Sequence, residues 1–343
     1  MLQLRHYSYD LAFKHPFTTY KGTKTHQPIL VVTLSLRNLT GYGEAPAISY
    51  YNVSIDQMVE LLQAKKHVIE RYALTDPLRY WHFLHHLLPG HNFLIAALDI
   101  AGWDLFSKMR RQPLYKMLGQ EWKDVPMTDY TIGMGTAEEM IEKIKEQPWP
   151  IYKIKLGNVN DIDLLEKIKA NTNATIRVDA NEGWSFEDAR QILPELQKLN
   201  VSMVEQPLNR TEHDAMKELK SLSTIPLFAD ESCQTEEDVI KCAESFHGIN
   251  IKLTKCGGIT PATRMIKTAK EKGIKVMMGS MCESTLGSAA IAHMMPMLDE
   301  VDADGPLLLK EDFADGLEYD NGKITVSEGA GLGILFKGQK FER

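Results

Sequence analysis

Short apolar runs that end in an acidic or basic residue recur through residues 153–304. The charged residues that end five successive runs are Lys155, Asp179, Glu205, Asp230 and Lys252. They lie 22 to 26 residues apart, about the length of one strand, one helix and two short loops. The pattern predicts successive βα units and a parallel barrel whose polar strand ends converge at the C-terminal mouth.

Alternation within the runs also orients these residues. Three pairs lie two positions apart, and they are Lys153 with Lys155, Asp179 with Asn181, and Asp302 with Asp304. Side chains two positions apart in a strand point to the same face, so each pair is expected to share one side. A single charge at a strand end is most simply a solvated edge, but charges that recur in step favour a common site.

Eight strands and seven intervening helices are expected in this part of the chain. The strands are 127–132, 151–156, 175–181, 201–206, 225–231, 249–253, 275–280 and 301–304. The helices are about 137–146, 160–171, 185–198, 212–222, 235–244, 260–272 and 285–295.

The N-terminal third has a different pattern, with strands first and helices afterwards. Residues 3–9 and 29–37 alternate, and 13–27 are expected to be a polar loop between them. Residues 55–74 and 92–110 have helical periodicity. We expect an α+β unit distinct from the barrel. The expected organisation is a capping domain at 1–120, a barrel at 121–310 and a C-terminal segment at 311–343 that returns to the capping domain.

Composition excludes several classes of function. The chain has 343 residues, 43% of them apolar and 25% charged, which is enough to bury a sizeable core. A net charge of -7 argues against a nucleic-acid partner. The N-terminus lacks the apolar region of a signal peptide, no run reaches membrane-spanning length, and the four cysteines show no CxxC spacing. A cytoplasmic protein with reduced thiols is expected.

Asp179, Glu205 and Asp230 end three successive predicted strands. Neighbouring strands are roughly 5 Å apart, so three carboxylates can share one ion. An all-oxygen ligand set favours one Mg²⁺ per subunit, with Mn²⁺ possible. Without a cation the three carboxylates would repel one another, although pairing with barrel lysines is the alternative.

Lys155 and Lys252 flank this acidic centre, with three strands between them around the ring. Two opposed lysines around a metal suit removal of a proton α to a carboxylate, provided that a lysine pKa is lowered by Lys153 or by the metal. For a lone strand lysine, the alternative is a structural ion pair.

Together these residues and their neighbours resemble the enolase superfamily, muconate-lactonizing-enzyme subgroup. The shared motifs are Gly41-Tyr-Gly-Glu-Ala45, Ala97-Leu-Asp-Ile-Ala-Gly-Trp-Asp104, Lys153-Ile-Lys155, Val178-Asp-Ala-Asn-Glu-Gly-Trp184, Val204-Glu-Gln-Pro207, Ala229-Asp-Glu-Ser232, Ile251-Lys252 and Gly257-Gly-Ile259. The resemblance implies a modified (β/α)₇β TIM-type barrel under an N-terminal α+β capping domain, and a homo-oligomer.

The resemblance also implies roles for the residues at the strand ends. Asp179, Glu205 and Asp230 would be metal ligands, and Lys155 and Lys252 the acid/base pair. The remaining candidates are Lys153 and Ser280 as substrate contacts and Asn181 as support for the ligands.

Asp302-Ala-Asp304 on the last strand resembles the Asp-x-Asp element of dipeptide epimerases. Two anions facing a carboxylate-binding Mg²⁺ select a substrate that is anionic at one end and cationic at the other, as a dipeptide is. The alternative is that Asp302 and Asp304 cap the next segment. The expected reaction is epimerisation at the C-terminal residue by two-lysine proton transfer through an enediolate.

Specificity for the second residue is expected to depend on the 13–27 loop. Relatives acting on Ala-Glu are expected to have an arginine there, where this chain has Gly22 between Lys21 and Lys24. That substitution favours an apolar second residue, unless either lysine serves as the cation. The alternatives are an N-acylamino acid racemase or o-succinylbenzoate synthase, a muconate cycloisomerase, and a catalytically silent binding protein.

Overall fold

A computed structural model describes residues 1–157 and 161–338. The first residue of the predicted helix 160–171 and the last five of the segment 311–343 lie outside these ranges. No helix within them combines the length and the apolar composition needed to cross a membrane.

The N-terminal unit is a three-stranded antiparallel sheet covered by helices. Its strands are β1 (Gln3–Thr19), β2 (Gly22–Leu36) and β3 (Leu39–Pro46), in the order β1-β2-β3. Its helices are α1 (Ile55–Glu70), α2 (Pro77–Leu87), α3 (Asn92–Arg110) and α4 (Leu114–Met117). Helix α3 approaches β3 so closely that a Cβ atom on Gly43 would lie 1.9 Å from the carbonyl oxygen of Ala97. Glycine at this position therefore sets the distance between sheet and helix.

The expected polar loop at 13–27 is wrong, because β1 and β2 continue through it as a long hairpin. Phe17 pairs with Lys24, and Thr19 pairs with Gly22 at the tip. The pairing shifts register between Ala12 and Phe17, which breaks the alternation of the sequence pattern. Many of the hairpin side chains are exposed or half-buried, so no apolar face marks it as a strand in the sequence.

The C-terminal unit is an eight-stranded parallel barrel, which confirms the predicted fold class. Its strands are β4 (Tyr130–Ile132), β5 (Ile151–Lys155), β6 (Thr175–Asp179), β7 (Val201–Glu205), β8 (Leu227–Ala229), β9 (Gly248–Ile251), β10 (Lys275–Gly279) and β11 (Glu300–Asp302). They lie in sequential order, and a bridge between Thr128 and Val301 links the two ends. The Ala303 N–H also donates to Thr128 Oγ1 at 2.9 Å, so the first and last strands meet.

Helices surround the barrel at the predicted positions. They are α5 (Ala137–Glu146), α6 (Ile162–Lys169), α7 (Phe186–Lys198), α8 (His213–Leu222), α9 (Glu236–Ser245), α11 (Ile259–Glu271) and α12 (Thr285–Ala292). Two single-turn helices, α10 (Leu253–Cys256) and α13 (Gly305–Leu308), were not predicted. Capping boxes begin α5 at Thr136 and α7 at Ser185, where the side chain accepts the N–H three residues later.

The C-terminal segment touches both units. It contains β12 (Ala314–Asp315), β13 (Leu317–Asp320), β14 (Lys323–Val326) and β15 (Leu335–Phe336). The Phe336 ring lies 5.1 Å from the Tyr42 ring of the cap, whereas the Tyr319 hydroxyl donates to the Ala303 carbonyl of the barrel at 2.7 Å.

Buried polar contacts fix the cap on the barrel. The Glu44 carboxylate on β3 accepts hydrogen bonds from the Ser284 N–H at 2.8 Å and the Gly287 N–H at 2.9 Å, at the start of α12. Asp99 on α3 accepts from both the N–H and the hydroxyl of Thr260. These contacts hold the cap over the C-terminal mouth of the barrel.

His293 makes stability at this junction pH-dependent. It is fully buried after α12, and its Nδ1 accepts the Tyr115 N–H at 3.3 Å. Burial lowers the pKa of His293 from 6.5 to about 4. The unfolded chain therefore binds more protons than the folded protein between these values, so stability is complete above pH 6.5 and falls toward pH 4.

Between pH 7 and pH 4, we expect His293 to lower the free energy of unfolding of the wild type by up to about 3 kcal/mol. His293→Gln should abolish this part of the pH dependence. The measurement is urea unfolding across this range for both proteins. Equal pH slopes for the variant and the wild type would contradict a neutral buried imidazole.

Candidate active site

The register of the barrel strands places the predicted strand-end residues at the same height along the barrel axis. Lys155 on β5 pairs with Asp179 on β6, which pairs with Glu205 on β7. Asp230 and Lys252 directly follow β8 and β9. All five side chains are buried at the C-terminal mouth.

A cavity of about 420 Å³ lies between this mouth and the cap. Eleven of the thirteen residues singled out from the sequence line it, and they are Lys21, Gly22, Lys24, Lys153, Lys155, Asn181, Asp230, Lys252, Ser280, Asp302 and Asp304. Asp179 and Glu205 do not line it, since they lie behind Lys155 and Lys153. The cap closes the cavity with the β1–β2 hairpin and residues 48–51.

Each strand-end carboxylate has a lysine partner. Lys155 Nζ lies 2.5 Å from Asp179 Oδ2, and Lys252 Nζ lies 2.8 Å from Asp230 Oδ2. Lys153 Nζ lies 2.9 Å from Glu205 Oε2. These contacts are the ion pairing that the sequence left open as an alternative to metal binding.

The pKa shifts follow from this pairing. Burial would raise the pKa of Asp230, but Lys252 and Lys255 hold it well below its ordinary value. Burial would lower the pKa of Lys252, but Asp230 and Glu205 hold it well above 10.5. Burial raises the pKa of Glu205, which Lys153 opposes only in part. Lys252 therefore stays protonated while its ammonium is paired with Asp230.

The strand-end carboxylates fit a hard divalent cation by the chemistry of their donors. Glu205 Oε2 forms an ion pair with Lys153, while its Oε1 accepts from Asn250 Nδ2 at 2.7 Å. The Asn181 N–H donates to Asp179 Oδ1 at 2.9 Å and orients that carboxylate. Three buried carboxylates supply oxygen atoms of the kind that Mg²⁺ prefers as ligands.

A second acidic group lies at the last strand. Among residues 1–157 and 161–338, Asp129, Asp302 and Asp304 are the one set of three metal-binding side chains whose ligand atoms lie within 4.8 Å of one another. Asp129 is fixed by Arg177 at 2.7 Å, and Asp302 by Lys153 at 2.5 Å. Arg177 and Lys153 therefore balance the charges of Asp129 and Asp302 in this group.

Asp302 and Asp304 differ in charge. Burial would raise the pKa of Asp302, but Lys153 holds it at about 2. Burial and the neighbouring Asp302 and Asp129 raise the pKa of Asp304 well above its ordinary value, although its Oδ2 accepts the Thr131 N–H at 2.6 Å. Asp302 therefore carries the negative charge at this end of the cavity, and its Oδ1 is buried without a hydrogen bond from any described residue.

The two hairpin lysines have different surroundings. Lys21 Nζ contacts Glu231 Oε1, lies 3.2 Å from Glu182 Oε2, and stands 3.6 Å from the centroid of the Tyr50 ring. Lys24 Nζ has one hydrogen bond at 3.3 Å, to Gln27 Oε1, and no ion pair with any described carboxylate. Burial lowers the pKa of Lys24.

Sequence reasoning missed Lys255. It lies on the single turn α10, where both Lys255 and Lys252 contact Asp230. Lys255 Nζ lies 2.6 Å from Asp230 Oδ1 and 3.2 Å from the Asn250 carbonyl oxygen. The one sequence signal was its three-residue spacing from Lys252.

We expect Lys255→Met to lower the free energy of unfolding by about 3 to 5 kcal/mol, because it leaves a buried carboxylate oxygen without its cation. Urea denaturation at pH 7 measures the loss. Lys198→Met is the control, because it removes an equally short ion pair, 2.8 Å from Glu195, at an exposed site. A loss of less than about 1 kcal/mol for Lys255→Met would contradict its role in holding Asp230.

Family models match both units. Residues 135–340 match the model described as Enolase C-terminal domain-like. Residues 5–119 match the mandelate racemase / muconate lactonizing enzyme N-terminal domain. The two matches together contain all thirteen residues that were singled out from the sequence.

Similar proteins extend over nearly the whole chain. The chain is 42% identical to the L-Ala-D/L-amino acid epimerase of Flavobacterium johnsoniae, over 95% of this chain and 97% of that protein. It is 34% identical to the L-Ala-D/L-Glu epimerase of Bacteroides thetaiotaomicron, over 97% of this chain and 88% of that protein. The crystal structure of the Cytophaga hutchinsonii dipeptide epimerase with Mg and D-Ala-L-Val has a TM-score of 0.92 at 27% identity, covering 99% of this chain and 97% of that one.

Proposed function

The chain belongs to the mandelate racemase / muconate lactonizing enzyme family of the enolase superfamily, and from this premise we propose that it is a Mg²⁺-dependent dipeptide epimerase. The resemblance found in the sequence motifs is thereby confirmed, and the chain is an enzyme of the isomerase class. The proposed reaction inverts the α-carbon of the C-terminal residue of the dipeptide. The epimerase relatives and the Mg-dipeptide complex support this proposal.

The observation that carries the proposal is the placement of two lysines across the barrel. Lys155 on β5 and Lys252 after β9 are four positions apart in the ring of eight strands, so they lie on opposite sides of the mouth. A substrate α-carbon between them would meet one lysine on each face. Inversion by a two-base mechanism requires an acid/base group on each face of the α-carbon.

The proton transfer would proceed in two steps. One lysine, in its neutral amine form, takes the α-proton while the C–H electron pair moves into the substrate carboxylate as an enediolate. The opposite lysine, as an ammonium, then returns a proton to the other face of the same carbon. The two lysines exchange protonation states in each turnover.

Asp179, Glu205 and Asp230 would hold the Mg²⁺, which supplies positive charge for the substrate carboxylate and the enediolate. Lys153 stands between Glu205 and Asp302, where it would orient the substrate carboxylate. Asp302 and Asp304 would receive the α-ammonium. A substrate without a free ammonium would leave Asp302 Oδ1 buried without a partner, which disfavours the acylated and muconate alternatives.

We propose an apolar second residue. Phe17, Ile48, Met281 and Leu308 line the cavity and supply apolar surface. Lys21 is held by carboxylates of the protein and is not available to a substrate anion.

A second candidate, an acidic second residue, is favoured by Lys24. Its partly buried ammonium lines the cavity without a described ion pair. A carboxylate on the substrate side chain would neutralise this ammonium, and one relative is named an L-Ala-D/L-Glu epimerase. If the second residue is apolar, the methylene groups of Lys24 would pack against its side chain instead.

Lys155→Ala and Lys252→Ala test the two-lysine mechanism. Each variant removes one of the two proton donors and acceptors, so we expect each to slow epimerisation by about 1000-fold or more. In D₂O with Mg²⁺, the remaining lysine is expected to exchange the α-proton of one epimer only, as proton NMR would show.

Exposed Lys267→Ala is the matched control and should keep wild-type rates, since its ammonium lies at the surface. Full turnover by both active-site variants would overturn the assignment of Lys155 and Lys252.

Lys24→Met separates the two proposals for the second residue. If the substrate is acidic, we expect kcat/KM for L-Ala-L-Glu to fall about 10- to 100-fold through loss of a charged hydrogen bond. If the substrate is apolar, the wild type prefers L-Ala-L-Leu, and Lys24→Met keeps that activity. Lys14→Met, on the exposed part of the same hairpin, controls for a general effect of losing a lysine.

A further inference from the structure

A cluster of charged and aromatic side chains joins the tip of the β1–β2 hairpin to the barrel. Its members are Lys21, Tyr50, Glu182 and Glu231, and we refer to them as the latch. Lys21 Nζ contacts Glu231 Oε1 and lies 3.2 Å from Glu182 Oε2. The Tyr50 ring lies beneath the ammonium at 3.6 Å, and its hydroxyl donates to Glu182 Oε2 at 2.7 Å.

The two latch carboxylates are buried, with 6% of the Glu182 side chain exposed and 4% of the Glu231 side chain. An ion pair in such a site is screened little by salt and is stronger than one on an open surface. The Lys21 ammonium also lies over an aromatic ring, which adds a cation–π attraction. The latch is therefore expected to hold the hairpin more strongly than an exposed ion pair would.

Glu182 is held in place for this contact by a strained turn. Asn181 and Glu182 both have left-handed backbone conformations, with φ of 46° and 67°. Such conformations are costly for residues other than glycine and persist only where the surroundings impose them. The second Glu182 oxygen accepts the Arg210 N–H at 2.9 Å, so the loop after β7 orients the carboxylate as well.

The latch fixes the part of the hairpin that faces the cavity. Lys24 and Phe17 are register partners on the two strands just behind the tip, and both line the cavity. The Met134 N–H also donates to the Thr18 carbonyl at 2.8 Å, which holds one hairpin strand on the barrel. With the tip held by Lys21, the position of Lys24 relative to the substrate is set.

We propose that Glu182 and Lys21 are positioning residues that hold the hairpin over the substrate and thereby set the subsite for the second side chain. Neither residue touches the reacting carbon. The proposal rests on the proposed dipeptide epimerase function for its kinetic readout. Its structural readout, the opening of the hairpin, is independent of that function.

The test compares Lys21→Met, Glu182→Gln and the double variant Lys21→Met/Glu182→Gln with the wild type. Hydrogen–deuterium exchange of residues 13–27 is followed by mass spectrometry. We expect each single variant to raise exchange in this segment about tenfold, as loss of one charge-assisted hydrogen bond implies. The double variant should exchange no more than about twofold faster than Lys21→Met, because the two residues act through one contact.

Steady-state kinetics with the preferred L-Ala dipeptide supply the second readout. The latch acts equally on the bound substrate and on the transition state, so each single variant should raise KM about tenfold and change kcat less than threefold. Glu146→Gln is the matched control. It breaks the exposed hairpin–barrel contact between His15 and Glu146, 2.8 Å long, and should change neither readout.

Glu182→Gln distinguishes the latch from direct substrate binding by Lys21. If Lys21 bound the substrate, Glu182→Gln would free its ammonium, and KM would fall or stay the same while Lys21→Met raised it. That result overturns the proposal, as does unchanged exchange in both single variants or a double variant in which the two increases multiply. Absence of dipeptide turnover in the wild type would defeat the proposed function, whereas the exchange measurement would still decide on the latch.

Discussion

The balance of buried charge at the barrel mouth is the constraint on which this structure depends. Three strand-end carboxylates and three lysines lie within ion-pair distance in a site that water scarcely reaches. A buried charge is tolerated only with a partner, so each side chain fixes the position of the next. If a metal ion replaced a lysine as the partner of a carboxylate, that lysine would be free to take up or release a proton. The same charges that stabilise the folded mouth are therefore the ones the proposed reaction uses.

The cap completes this site. Glu44 and Asp99 fasten the cap to α12 and to the first turn of α11 through buried hydrogen bonds. The hairpin then reaches over the mouth, where Lys21 is held by Glu182 and Glu231. Under the proposed function the barrel would supply the reacting groups, and the cap would set which substrate reaches them.

Much of the barrel could be predicted from sequence, because each strand is an apolar run that ends in a functional charge. The register of Lys155, Asp179 and Glu205 followed from that spacing. The hairpin could not be predicted, since its exposed strands have no apolar face and a register shift breaks their alternation. Lys255 and Glu182 were missed because their roles depend on contacts between residues distant in sequence. The site roles, domain boundaries, homo-oligomer and cytoplasmic location remain predictions.

The most direct test of the central claim is proton NMR of the wild-type protein in D₂O with Mg²⁺ and a pool of free L-Ala-L-dipeptides. The account predicts that α-proton signals of the second residue disappear while signals of the L,D epimer appear. N-acetylated forms of the same dipeptides should react far more slowly, because they offer no ammonium to Asp302 and Asp304. Equal rates for acetylated and free dipeptides, or no exchange with any free dipeptide in a protein that binds Mg²⁺, would contradict it.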